Sequence, residues 1–185
     1  MSDSLPPWPQ VPACYGWLSL DARGNWRLKD ETITHPGLIA FLNAQYTSSE
    51  EGCWFVNNGP QRVYVRLDSA PWVLRLQPDG RFVRQSGKVA TIEGPLYLDV
   101  EGRVFVRTSA GPASLDDRDL AMLINELRNA ANLPADDASL AALLDGRDAE
   151  LNWHGRAIVF LGNETAATRL GFVADPCPTE PAPGA

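Results

Sequence analysis

The sequence predicts an α+β fold made of two tandem related units, each of antiparallel strands with one helix in the order strand-strand-helix-strand-strand. The first observation behind this is a repeat. Leu18-Ser19-Leu20-Asp21-Ala22-Arg23-Gly24-Asn25-Trp26-Arg27-Leu28 returns at an offset of 78 residues as Leu96-Tyr97-Leu98-Asp99-Val100-Glu101-Gly102-Arg103-Val104-Phe105-Val106. Such self-similarity implies that one supersecondary unit is used more than once. The second observation is that each copy is followed by an apolar helical stretch, residues 38–43 and 120–125, then by a glycine turn and an apolar strand. The third is that period-two strands joined by hairpin turns enclose a single helix, which marks α+β rather than α/β organisation.

Residues 1–14 hold Pro6, Pro7, Pro9 and Pro12 and read as a proline-rich arm, because proline fixes φ and offers no backbone donor. Trp8 could pin that arm to the body. The first unit covers residues 15–93. Leu18 and Leu20 alternate with polar neighbours, the turn at residues 22–25 follows, and Trp26 and Leu28 alternate again, which is hairpin chemistry. Thr34 is placed to cap a helix whose first turn contains His35 and Pro36. Leu38, Phe41, Leu42 and Gln45 then share one helical face. Residues 48–52 read as a loop, and strands are expected over residues 53–56, 62–67, 72–76, 81–84 and 88–92.

The second unit covers residues 94–173, with strands over 95–100 and 104–107. Ser114 and Asp117 form a capping-box-like start, and Leu120, Leu123, Ile124 and Leu127 give the buried stripe of a helix ending near Asn132. Residues 136–144 read as an extra helix ended by Gly146. Residues 150–153 and 157–161 form a hairpin, and the run Ala157-Ile158-Val159-Phe160-Leu161 has no polar face, as a strand buried on both sides would. Residues 174–185 read as a disordered proline-rich tail.

Composition bounds the function classes. The formal net charge of -7 argues against nucleic acid and against an anionic membrane surface, both of which select cations. No run has the length of a membrane span, and no basic and apolar leader is visible at the N-terminus. Three widely separated cysteines, Cys14, Cys53 and Cys177, fit a reducing compartment. The expected protein is cytoplasmic.

The first unit resembles the proteobacterial domain-of-unknown-function 1285 family or a sister uncharacterised family. The resemblance rests on Asp21-x-x-Gly24-x-Trp26, the helix Leu38 to Leu42, Gly52-x-Trp54-x-Val56, Val63-x-Val65 and, most sharply, Asp68-Ser69-Ala70-Pro71-Trp72-Val73. It implies two similar α+β domains in one compact body, with a dimer open and no established activity. The chain departs from that pattern at Asn57-Asn58-Gly59-Pro60, where a Thr-Pro turn followed by an acid is expected.

No catalytic constellation emerges. There is no nucleophile-elbow motif, His35 and His154 are the only histidines, and no spacing suits a metal or a phosphate-binding loop. Neither catalytic residues nor a cofactor nor a metal is expected. Charge layout is more informative. Arg62, Tyr64 and Arg66 share the strand face opposite Val63, Val65 and Leu67, and Arg75 lies opposite Trp72. With Asp68 as an acceptor and Trp72 as an aromatic wall, Arg62, Tyr64, Arg66, Asp68, Trp72 and Arg75 form a candidate ligand site for a small acidic ligand or a protein partner. The structural reading is a solvated face paired internally with the acidic second unit, and a turn in which Pro71 is rigid and Trp72 is core. The functional reading is a non-enzymatic, regulatory binding module. Its alternatives are a hydrolase or transferase with a site between the units, which would bring His154 to Asp68 or a cysteine, and a purely structural homodimer.

Overall fold

The computed structural model describes residues 11–147 and 149–178. Trp8 and most of the N-terminal arm, and residues 179–185 of the tail, lie outside the described residues. The fold is α+β, built on two sheets. The six-stranded sheet contains β1 (Ala13–Leu20), β2 (Trp26–Leu28), β3 (Glu31–Thr32), β4 (Tyr46–Ser48), β5 (Trp54–Asn58) and β6 (Gln61–Leu67), in the order β3-β2-β1-β6-β5-β4. Helix α1 (Pro36–Gln45) connects β3 to β4.

The nine-stranded sheet begins with β7 (Trp72–Leu76), β8 (Phe82–Arg84) and β9 (Val89–Ala90). It continues through β10 (Ile92–Leu98), β11 (Val104–Thr108), β12 (Gly111–Leu115), β13 (Leu127–Arg128), β14 (Asn152–Trp153) and β15 (Arg156–Phe160). Its order is β13-β14-β15-β10-β11-β12-β7-β8-β9. Helices α2 (Leu120–Asn125) and α3 (Asp137–Leu144) lie between β12 and β14, and α4 (Ala166–Leu170) follows β15.

Both sheets are mixed, which corrects the expectation of purely antiparallel strands. β1 pairs parallel with β6, β10 parallel with β15, and β12 parallel with β7. Between β1 and β6 and between β10 and β15 the connection contains a helix, and such a crossover, unlike a tight hairpin, can return the chain in the same direction; β7 and β12 are instead separated by the four strands β8 to β11. One pairing scheme therefore occurs twice, β2-β1-β6-β5-β4 in one sheet and β11-β10-β15-β14-β13 in the other.

The repeated Asp-x-x-Gly turn has the same chemistry in both places. Asp21 Oδ1 accepts the N–H groups of Arg23 (2.9 Å) and Asn25 (2.8 Å). Asp99 Oδ1 accepts those of Glu101 (3.0 Å) and Arg103 (2.8 Å). The second oxygen takes the side chain four residues on, Asn25 in one case and Arg103 in the other. A short acidic side chain that bonds its own backbone two and four residues ahead fixes the reversal and hence the hairpin register.

Several local expectations shift. His35, not Thr34, caps α1, its Nδ1 accepting the Leu38 N–H at 3.2 Å, because Pro36 opens the helix directly. Ser114 lies inside β12, and Asp116 caps a short 3-10 helix (Asp117–Asp119) leading into α2. α2 ends at Asn125 rather than near Asn132, and Leu127 opens β13. β15 is central in pairing but is not buried on both faces: Ala157 is exposed and Ile158, Val159 and Phe160 are half-buried.

A single hydrophobic cluster spans both sheets, from Cys14 to Phe172. The chain end returns to the first sheet: the Val173 N–H donates to Gly52 O (2.9 Å) and the Leu67 N–H to Ala174 O (2.7 Å). This crossing explains Gly52. It has φ +81°, and a Cβ there would lie 2.5 Å from the Gly171 carbonyl oxygen.

Candidate functional site

Strand β6 alternates cleanly. Val63, Val65 and Leu67 enter the core, and Arg62, Tyr64 and Arg66 point away from it. Beside it, β1 carries an irregularity between Cys14 and Leu18, where Gly16 takes φ +70°. β1 advances four positions here while β6 advances two, and two extra residues of this kind re-aim their neighbours. Tyr15 consequently stacks on Tyr64, with ring centroids 4.4 Å apart and planes 3° apart. Ser19 stands between Arg66 of β6 and Arg27 of β2 in the strand register.

Cations and rings alternate across this outer face. The Arg62 guanidinium lies 4.9 Å from the centre of the Phe55 ring, and the Lys29 ammonium 3.9 Å from that of Trp17. Lys29 and Asp30 form the two-residue turn between β2 and β3, with φ of 50° and 67°. A type I′ turn needs both values positive, which costs non-glycine residues about 1 kcal/mol each. That turn sets Asp30 against Arg66 at 2.8 Å. Gly16, Trp17, Ser19, Asp30, Arg66 and Asp175 line a polar cavity of about 230 Å³ here.

The six candidate residues divide between the two sheets. Arg62, Tyr64 and Arg66 lie together. Asp68, just beyond β6, accepts from Arg27 Nη1 at 3.1 Å, and Arg27 also reaches Asp21 at 3.1 Å. Burial alone would raise the Asp21 carboxyl, but hydrogen bonds from Asn25 and Arg23 and the Arg27 charge hold it below its ordinary range. Trp72 and Arg75 belong to β7 in the other sheet. Trp72 is only 5% exposed, and its Nε1–H donates to Ala110 O at 2.9 Å, so it is a core ring. Arg75 forms a two-pronged pair with Asp119, at 2.6 and 3.1 Å, and stands 3.9 Å from Asp116.

This last group is a charged seam between the halves of the chain. Arg118 donates through Nε and Nη2 to the two carboxylate oxygens of Asp116, and Arg23 in the β1–β2 turn pairs with Asp117 at 2.9 Å. Asp116 is fully buried. Desolvation pushes its carboxyl up, yet the Arg118 hydrogen bonds and the charges of Arg118 and Arg75 outweigh this and bring it down to about 2. Arg75 thus meets the acidic partners that the structural reading anticipated.

His154 lies apart from both Asp68 and the cysteines, whereas Cys53 and Cys177 stand near enough to influence each other. His154 Nε2 is 3.0 Å from Glu126 Oε2 at the β14–β15 turn, while Asp68 is engaged by Arg27. Cys14 is buried, Cys53 half-buried and Cys177 exposed. Among the described residues no group of three or more His, Cys, Asp or Glu side chains is placed to hold a metal ion.

Sequence reasoning missed Tyr15, Trp17, Lys29 and Asp30. A signal existed: Tyr15-Gly16-Trp17 interrupts an alternating strand with a glycine, and Lys29-Asp30 separates two short strand-like runs. Asp175 had none, since it reaches the cavity only through the chain's return across the sheet.

The family model of DUF2944, described as a protein of unknown function (DUF2946), matches residues 1–177. The chain belongs to that family. Among solved structures, this DUF2944 chain is similar to a DUF1285 family protein from Silicibacter pomeroyi DSS-3, with TM-score 0.50 and 18% identity over 68% of this chain and 73% of that one. It is also similar to a DUF1285 family protein from Shewanella baltica OS155, with TM-score 0.40 and 14% identity over 59% of this chain and 91% of that one. At such identity the first likeness supports the fold alone, in agreement with the resemblance carried by the Asp21 and Asp68 motifs. No curated protein matches the chain.

Proposed function

We propose that this DUF2944 chain is a non-enzymatic binding module whose outer β1–β6 face takes the anionic group of a small acidic ligand or of an acidic protein segment, in a regulatory capacity. The observation that carries this is the alternation of Arg62, Tyr64 and Arg66 beside the Tyr15–Tyr64 stack, with a cavity at Arg66. Guanidinium groups bond carboxylates and phosphates in a planar, two-pronged manner, and flat rings beside them exclude water from one side. Asp30 occupies Arg66 in the free protein and would yield to a stronger acceptor; both partners are solvent-accessible, so the exchange is cheap.

The repeated pairing scheme and the repeated Asp turns support a second inference, that the two halves are tandem related units and that the second opens with β10. A homodimer and a cytoplasmic location complete the proposal.

Isothermal titration with citrate and with a glutamate-rich peptide tests the binding role. Saturable binding that weakens at least about tenfold in the Arg62→Ala/Arg66→Ala variant is the expected result. Absence of binding, or equal binding by that variant, overturns it.

A further inference from the structure

The second half of the chain contains a cavity of about 230 Å³ lined only by carbon-rich groups. Leu120, Leu123 and Ile124 of α2 and Leu140, Leu143 and Leu144 of α3 form its roof. Leu98, Val104, Leu127 and Ile158 form its floor on β10, β11, β13 and β15, with Gly102 at one edge. Leu143 is buried, but Leu120, Ile124, Leu140 and Ile158 are half-buried and Leu144 is 52% exposed, so the cavity is reachable from solvent.

The first half shows what normally fills this place. In the strand register Leu20 pairs with Trp26, and Leu98 with Val104. Trp26 is buried under α1, and its Nε1–H donates to Asn43 of that helix at 2.9 Å. Tyr46, the first residue of β4, packs edge-on against Trp26 at 5.0 Å. Its counterpart as the first residue of β13 is Leu127. Two aromatic rings in one half thus give way to two aliphatic side chains in the other, both of which line the cavity.

We propose that this space is a binding site for a small uncharged hydrophobic molecule carrying a ring or a short branched alkyl group. Apolar cavities of about 150 Å³ already stay dry and admit benzene, so a larger one with the same lining has room for a substituted ring. A charged or hydrogen-bonding ligand is excluded, since the walls offer no partner and an unpaired buried polar group is costly. The site is distinct from the basic face of the first sheet and takes the opposite chemistry.

The test uses the full chain with toluene and ethylbenzene as probes, followed by methyl NMR shifts of the leucine, isoleucine and valine groups and by calorimetry. Saturable one-to-one binding confined to the cavity methyls is expected. Val104→Trp should fill the space, abolish probe binding and leave the Arg62 face shifts unchanged. Should the indole overpack the site, Val104→Phe serves instead and is expected to weaken binding at least about tenfold. Non-saturable shifts spread over the surface, or binding equally strong in both variants, would overturn the site.

Discussion

The two halves of this chain share a pairing scheme and a turn, yet they fill their helix–sheet interfaces differently. Around α1 the interface is aromatic: Tyr46 contacts Trp26, Trp54 and Trp72 at ring-centroid distances of 5.0, 4.9 and 5.2 Å. Around α2 and α3 it is aliphatic and hollow. Backbone pairing and turn chemistry therefore specify the scaffold, while side-chain volume at a few inward positions decides whether the same scaffold is solid or has room for a guest.

Emptying the solid half gives the largest expected effect. Trp26→Val removes a buried indole and its bond to Asn43, and should cost about 3–4 kcal/mol in urea unfolding. Val104→Ala, at the matching position, should cost only about 1–2 kcal/mol, because its side chain already faces empty space. Equal losses at the two positions would break the comparison.

Next comes the seam that joins the halves. The Asp116 carboxyl is held at about 2 in the folded protein against an ordinary 3.8. A depressed carboxyl contributes stability that is complete above its unfolded value and is lost as the pH falls through the folded one. With Arg118 half-exposed, this amounts to about 1–2 kcal/mol at pH 7. Asp116→Asn should be less stable than the parent by that amount at pH 7 in urea titrations, and the gap should close between about pH 4 and pH 2. A gap that persists at pH 2 would mean that Asp116 acts through packing rather than charge.

The smallest effect sharpens the aromatic side. The Tyr46 hydroxyl is buried with no hydrogen-bond partner in its ring cluster, and burial pushes its pKa well above the ordinary value. Tyr46→Phe removes an unpaired polar atom while keeping the ring, and should raise stability by about 1 kcal/mol, read as an increase in Tm. A loss of stability would show that a buried water serves that oxygen.

Much of the fold was legible because its signals are local. The period of β6, the Asp21 and Asp99 turns and the apolar stretch of α1 each depend on residues within a few positions of one another. β12 was hidden because Ser114, with Asp117, read as the start of a helix; Pro112 is tolerated in the strand because β7 pairs with β12 only from Ala113 onward. The α2 stripe ran on into Leu127 because a buried leucine looks alike in a helix and in a two-residue strand. Within the candidate site, Arg62, Tyr64 and Arg66 could be grouped because they sit on one strand. Trp72 and Arg75 could not be separated from them, since nothing in the chain marks the step at which it leaves one sheet for the other.

The sequence by itself determined the α+β class, the repeated hairpin and the outward placement of the β6 cations, because strand period and turn chemistry act over a few residues. Only the tertiary structure decided that β1 runs parallel to β6, that Tyr15 stacks on Tyr64, that Arg75 is consumed by Asp119 and that Val104 borders a void. Each of these depends on residues that the chain brings together from far apart, where packing and charge pairing in three dimensions leave no local trace.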